Sequence, residues 1–239
     1  MAGSKSFKAK RKKRAWPVRL VLVVALIGLG ALGAAWWHMR HWTPARTHWP
    51  QQGAQVSAMD GALDWTALKA IGADFVYLDA TASAFAHDAA FLTNLDNARA
   101  AQLQVGAVHI YDPCQPADKQ AANFVTVVPR DAKLLAPVVE LDRLADDCPV
   151  TVSEAAVESE LMTFVNQVET HAGKPMILKV SARFESRYHI AKPLNRYLWL
   201  VRNRFEPDYA GRPWSLWTAN DMLVTDADTR PLRWVVVQP

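Results

Sequence analysis

Apolar positions along this chain are spaced in three ways. Near the N-terminus, residues 20–37 (LVLVVALIGLGALGAAWW) run eighteen positions without a charge. From residue 53 onward, short apolar runs recur at 54–56, 75–78, 105–110, 138–141, 176–180, 197–201, 214–217 and 234–237, and their length predicts strands. Between the earlier runs the spacing is helical, over 65–71, 88–102, 119–127 and 153–171. The last helix is the best marked. Ser153 is its N-cap, Glu154, Glu158 and Glu160 fill its early turns, and Gly173 and Pro175 end it. Its Val157, Leu161, Phe164, Val165 and Val168 share one face.

Alternating strands and helices predict an α/β fold with a mainly parallel sheet. Eight strand-like runs favour an irregular TIM-like (β/α) barrel, with a final third poor in helices. An open doubly wound sheet is the alternative. No Gly-rich nucleotide loop follows the first strand, which argues against a cofactor-binding version of it.

With 239 residues, 51% apolar and 21% charged, the chain is neither disordered nor collagen-like. Two cysteines exclude a disulfide-dense scaffold and an all-cysteine zinc site. The net charge of +4 conceals an asymmetry: ten of the 27 Lys and Arg precede residue 51, all 23 acids follow it, and the remainder nets −6. The positive charge belongs to a tail.

That tail changes the picture of location. At about 1.5 Å per residue, segment 20–37 spans roughly 27 Å, close to the ~30 Å of a bilayer core. Tryptophans 16, 36, 37, 42 and 49 sit at or beyond its ends, and eight bases precede it against Arg40 and Arg46 after it. The division expected is a basic cytoplasmic tail (1–19), a transmembrane anchor (20–37), a polar linker with two prolines (38–52) and a barrel domain (53–239). The chain would cross the cell inner membrane once, with the barrel periplasmic or extracellular. A cleaved signal peptide is the competing reading, with residues 33–35 as the small residues at the cut. A polybasic nucleic-acid arm would not need the apolar run, so no nucleic-acid partner is expected.

In such a barrel, chemistry sits at the C-terminal ends of the strands. The fourth run ends in Glu140 and Asp142, two apart and so on one face, with Val139 and Leu141 toward the helices. The pair is either catalytic or two solvated loop acids. The second run ends in Asp79. The third carries Ala107, His109 and Tyr111 on a common face, read as the barrel interior, with His109 either a site residue or a hydrogen-bonded core histidine. Cys114 and Cys148 follow neighbouring strands onto one rim, where a disulfide is geometrically sensible; two separate buried thiols are the alternative. No spacing suggests a metal site, and no Ser or Cys has a nucleophile signature.

Four stretches carry a resemblance: 53–69 (GAQVSAMDGALDWTALK), 74–81 (DFVYLDAT), 105–111 (VGAVHIY) and 120–142 (QAANFVTVVPRDAKLLAPVVELD), with weaker matches at 174–178, 197–200 and 212–217. Together they resemble family 25 of the glycoside hydrolases, lysozymes that cleave after N-acetylmuramic acid in peptidoglycan. The resemblance implies five strand–helix units plus three further strands, no cofactor, and peptidoglycan glycan strands as partner. The family ends its fourth strand Asp-x-Glu, the Glu being the general acid and the Asp supporting assistance by the N-acetyl group. Here Glu140 and Asp142 stand in reversed order. Each swap moves a carboxylate by about 1.5 Å, and ~1 Å of misplacement can cost ~10²-fold in rate.

Other positions depart from the family pattern too. Gln55 replaces the first-strand Asp, Asp79 and Ala82 stand in the Lys-Ala-Thr-Glu segment, Val108 precedes His109 in place of Tyr, Thr218 follows Trp217, and Arg233 falls where an acid is expected. Two readings follow. One is a membrane-anchored muramidase, with Asp142 as acid, Glu140 orienting the N-acetyl group, and Gln55, Asp79, His109, Tyr111, Trp199 and Trp217 lining the groove. The other is a catalytically impaired glycan-binding or scaffold protein in which Trp199, Trp214 and Trp217 stack on sugars.

Overall fold

The computed structural model describes residues 16–239, with side chains from residue 19. The expected basic tail therefore lies almost wholly outside the described residues. Two compact units divide the chain, Met1–Arg40 and His41–Pro239. Among its described residues the first contains one helix, α1 (Trp16–Arg40), and its stretch Arg19–Arg40 is long and apolar enough to cross a membrane. Its apolar side chains, Leu20 and Trp37 among them, are exposed.

The second unit is a closed barrel. Its strands are β1 (Gln52–Val56), β2 (Phe75–Ala82), β4 (Gln104–Ile110), β5 (Val138–Leu141), β6 (Ile177–Val180), β7 (Tyr197–Val201), β8 (Leu216–Thr225) and β9 (Asp228–Val237); the two-residue β3 (Ala86–His87) hangs on β2. The order is β1-β9-β8-β7-β6-β5-β4-β2, and a parallel β1–β2 pairing closes it. Only β9 runs antiparallel to both of its neighbours in the barrel, because a tight turn at 226–227 returns it from β8. Helices α2 (Trp65–Ala70), α3 (Phe91–Ala100), α4 (Ala117–Val127), α5 (Glu154–Ala172) and α6 (Ala182–Tyr188) follow β1, β2, β4, β5 and β6, and α7 (Ala191–Leu194) precedes β7. That is five strand–helix units followed by three strands.

Local chemistry explains the helix ends. The Ser153 hydroxyl accepts the Ala156 N–H at 3.2 Å to open α5, and Gly173 closes it at φ +67°, a left-handed conformation that suits glycine. Ser181 caps α6 directly after β6, so that helix begins at the barrel rim.

Strand alternation sorts side chains into two cores. Phe75, Tyr77, Val108, Val138, Ile177, Trp199, Leu216 and Val235 fill the barrel interior. The opposite strand faces, with Ala54, Val76, Ala107, Val139, Leu141, Leu178 and Leu200, pack under the helices. The interior is tight at Gly106, where a Cβ would lie 2.1 Å from the Tyr77 ring. Here one expectation is corrected. Ala107, His109 and Tyr111 do share a face, but it is the helical one; Gly106 and Val108 face inward. In a period-two element, a shift of one residue exchanges the faces completely.

The segment expected as a linker is packed against the domain. Helix α1 runs on to Arg40, and the segment that follows is strapped to the barrel. Trp49 is buried and stacks on Trp214 at 5.6 Å. Gln52 donates to the carbonyls of Pro44 (2.8 Å) and Trp49 (2.9 Å), and Arg46 reaches Asp74 at 2.9 Å. Burial of Trp49 outweighs the polar composition of the segment as a whole.

Candidate active site

The C-terminal ends of the parallel strands form a mouth above the apolar interior, and inward-facing positions there are polar. Gln55 on β1, Asp79 on β2, Glu140 on β5, Lys179 on β6 and Arg233 on β9 converge into one network. Gln55 Nε2 donates to Asp79 at 2.6 Å and to Glu140 at 3.0 Å. The Lys179 ammonium donates to Gln55 Oε1 at 2.6 Å and to Glu140 at 2.7 Å. Arg233 donates to Asp79 through both terminal nitrogens at 3.2 Å, and to Asp60 at 3.4 Å. Asp60 sits in the turn after β1, where it also accepts the Ser57 N–H at 2.6 Å.

Register explains the convergence. Glu140 pairs with Lys179 across β5 and β6, Lys179 with Trp199 across β6 and β7, and Gln55 with Arg233 across β1 and β9. Trp199 is fully buried and forms the floor. Its ring centroid lies 5.2 Å from the Lys179 nitrogen, and its indole N–H donates to Thr218 at 2.8 Å. Lys179 is the principal mouth residue absent from the candidates read off the sequence. A signal was present, because Ile177 and Lys179 alternate with Leu178 and Val180, which puts one lysine on an interior face.

Asp142 lies just past the end of β5, at the rim. Its side chain is 50% exposed and is gripped by Arg183 of α6, with Nε to Oδ1 at 2.7 Å and Nη2 to Oδ2 at 2.5 Å. This bidentate geometry is the strong form of a charge-assisted pair. Glu140 and Asp142 thus differ: one is inside the network, the other outside it.

Electrostatics separate the carboxylates further. Burial pushes Glu140 upward, but Lys179, Gln55 and Arg233 outweigh it and hold the group below the ordinary glutamate value. Burial also opposes ionisation of Asp142, and Arg183, Ser181 and Lys179 outweigh it there too. Asp79 goes the other way. Burial dominates, the Glu140 charge adds to it, and Arg233, Gln55 and Lys179 do not compensate, so Asp79 is raised.

Three candidate groove residues are placed elsewhere. His109 is fully buried beneath the helices, with Nδ1 2.7 Å from Thr81 Oγ1, Nε2 3.1 Å from Gln120 Oε1, and its ring 4.6 Å from that of Phe164. Burial brings it down to about 4, against the Gln120 hydrogen bond, so it is a neutral core histidine. Tyr111 packs against Phe164, and its hydroxyl is buried without a hydrogen-bond partner among the described residues. Trp217 lies outside the barrel against Trp49 and Trp214, donating to the Arg202 carbonyl at 2.6 Å. None of the three tryptophans once considered as sugar platforms, Trp199, Trp214 and Trp217, is exposed. A register shift between Asp79 and Thr81 is what turns Thr81 toward His109, and strand periodicity alone does not show it.

Cys114 and Cys148 are joined in a disulfide that ties the loop after β4 to the loop after β5. On the same rim Arg143 pairs with Asp112 at 2.7 Å.

An irregular eight-stranded barrel with carboxylates at the C-terminal end of its strands is the architecture of a lysozyme-like hydrolase. The chain belongs to the glycosyl hydrolases family 25, whose model matches residues 54–222. Among solved structures, it resembles a family 25 glycosyl hydrolase from Bacillus anthracis with a TM-score of 0.75 and 22% identity, covering 84% of this chain and 93% of that one. It resembles a bacterial lysozyme from Streptomyces coelicolor with a TM-score of 0.72 and 18% identity, covering 79% and 92%. The uncharacterized protein YegX of Escherichia coli K12 is 25% identical over 189 residues, which is 75% of this chain and 66% of that relative, just under two thirds of its length. At these identities the structural likeness concerns the fold.

Proposed function

We propose that this chain is a membrane-anchored, lysozyme-type glycosidase that acts on peptidoglycan outside the cytoplasm, cleaving after N-acetylmuramic acid. The observation that carries the reading is the placement of Glu140 and Asp142 at the end of β5 in a family 25 barrel. Helix α1 supplies the anchor, and the Cys114–Cys148 disulfide suits an oxidising compartment.

In this reading, Asp142 protonates the leaving oxygen and Glu140 orients the substrate's N-acetyl group. An acid must carry a proton, and the Arg183 grip opposes that, so substrate has to displace Arg183 before Asp142 can act. Glu140, ionised by Lys179, suits an electrostatic or orienting role better than an acidic one.

A second reading is favoured by those same ion pairs. If Lys179 and Arg183 stay in place, both carboxylates remain ionised and the domain holds glycan without cutting it. Muropeptide release from purified peptidoglycan, read by mass spectrometry, decides between them. Products ending in reducing N-acetylmuramic acid, absent with Asp142→Asn, establish the hydrolase. No products from folded protein that binds peptidoglycan establish the binding protein.

A further inference from the structure

An open cleft lies at the N-terminal ends of β6 and β7, and a second, running beside α6 and α7, shares Asn195 and Arg212 with it. One, of about 630 Å³, is lined by Glu169, Lys174, Arg196, Tyr197 and Arg212 among others. The second, of about 820 Å³, adds Glu185, His189, Lys192 and Tyr209. Strand β6 has four residues, so its two ends are about 10 Å apart. The packed interior around Ile177 and Trp199 separates the first cleft from the mouth.

The charges of the clefts are unevenly matched. Lys174 donates to the carbonyls of Ala132 (2.8 Å) and Leu134, and Arg212 to those of Ala191 (2.6 Å) and Arg196. Carbonyls orient a cation without neutralising it. Glu169 is committed to Arg196 at 2.7 and 3.0 Å, and Glu185 is buried, accepting the Ala191 N–H at 3.0 Å. Lys174, Lys192, Arg196 and Arg212 thus face only two carboxylates, both engaged. Burial lowers the Arg212 pKa, with only partial relief from Glu185, which fits an under-compensated cation.

The chain beyond residue 50 is net negative, so this cationic patch runs against the overall charge of the domain. Tyr197 adds a 58% exposed aromatic side chain to the cleft wall.

We propose that this double cleft is a second binding site, for an acidic glycopeptide strand. Its cations take the carboxylates of the peptide stems, and the Tyr197 ring carries a sugar or an apolar stem residue. The double cleft would hold the strand on the outside of the barrel while the mouth engages a different segment or a neighbouring strand. The choice of ligand rests on the peptidoglycan reading above; the charge pattern does not.

The test uses the full chain in detergent micelles and a photoactivatable disaccharide–peptide with free stem carboxylates, with crosslinks mapped by mass spectrometry. Labelling is expected in segments 173–175, 192–197 and 209–212. It should fall about tenfold in the Lys192→Glu/Tyr197→Ala variant, whose side chains are exposed, and about as much when the carboxylates are methyl-esterified. Lys174→Gln gives an independent arm on the other wall, and matching melting curves exclude unfolding. Labelling confined to the mouth, or cleft labelling indifferent to both variants and to esterification, overturns the proposal. Displacement by inorganic phosphate, with the esterified probe still bound, overturns it in favour of a phosphorylated polymer. Muropeptide release by the same preparations separates the two readings: release without cleft labelling sinks the cleft alone, and cleft labelling without release sinks the hydrolase alone.

Discussion

Lys179 and Glu140 face each other across β6 and β5, with the ammonium 2.7 Å from the carboxylate and also bound to Gln55. This pair makes the barrel mouth a closed ionic network. In a bare acidic cleft, neighbouring carboxylates raise one another's pKa; here Lys179 and Arg233 hold Glu140 down and leave Asp79 as the raised carboxylate.

Removing the cation from this pair leaves a largely buried carboxylate uncompensated. Lys179→Met should destabilise the barrel by about 3–5 kcal/mol. Lys179→Met/Glu140→Gln, which removes both charges, should recover at least half of that. Urea unfolding followed by tryptophan fluorescence measures both, and equal loss in the single and double variants would show that the pair is not the source.

The Arg183–Asp142 pair is exposed, so Arg183→Ala should change stability by no more than about 1 kcal/mol. Its effect belongs to titration. Freed from Arg183, Asp142 returns toward the ordinary carboxylate value and carries a proton to higher pH. The alkaline limb of kcat/KM for muropeptide release, which reports the free enzyme, should therefore move up in pH, and an unmoved limb would remove Asp142 from the role of acid.

His109 couples the core to acid. Its folded value is about 4 against an ordinary 6.5, so the fold favours the neutral ring. The unfolded chain takes up the proton first as pH falls. Stability is complete above pH 6.5 and declines through the window down to about 4, by roughly 3 kcal/mol from this group. Melting temperature against pH should show that slope, and His109→Gln should flatten it whatever its effect at neutral pH.

The disulfide closes a loop of 34 residues, for which chain entropy predicts about 3–4 kcal/mol. Cys114→Ser/Cys148→Ser should lower the unfolding free energy by that order in urea titrations. Wild-type protein in reductant should match it, and a double variant as stable as the oxidised chain would contradict the estimate.

Much of this protein was legible without coordinates, for reasons local in the chain. Strand runs, helix 153–171 with its Ser153 cap and Gly173 stop, and the apolar segment 20–37 all follow from spacing and capping chemistry, which act within a few residues. Glu140 was legible as an inward carboxylate because strand alternation sets its face against Val139 and Leu141. Which face is inside was not. The run carrying Ala107, His109 and Tyr111 is apolar on both sides, and only closure of the barrel put Gly106 and Val108 within it and His109 against Phe164.

The residues that decide the charge of the mouth come from segments far apart. Lys179 stands 39 positions from Glu140, and Arg233 stands 154 from Asp79. Composition shows that such charges exist, but a pKa depends on distance and desolvation, and those belong to the folded chain. By itself the sequence determined the order of the barrel strands, helices α1 to α5 and the carboxylates at the end of β5, but not α6 or α7. Tertiary structure alone decided which cation each carboxylate meets, because pairing across a barrel is set by register and closure rather than by neighbours in the chain.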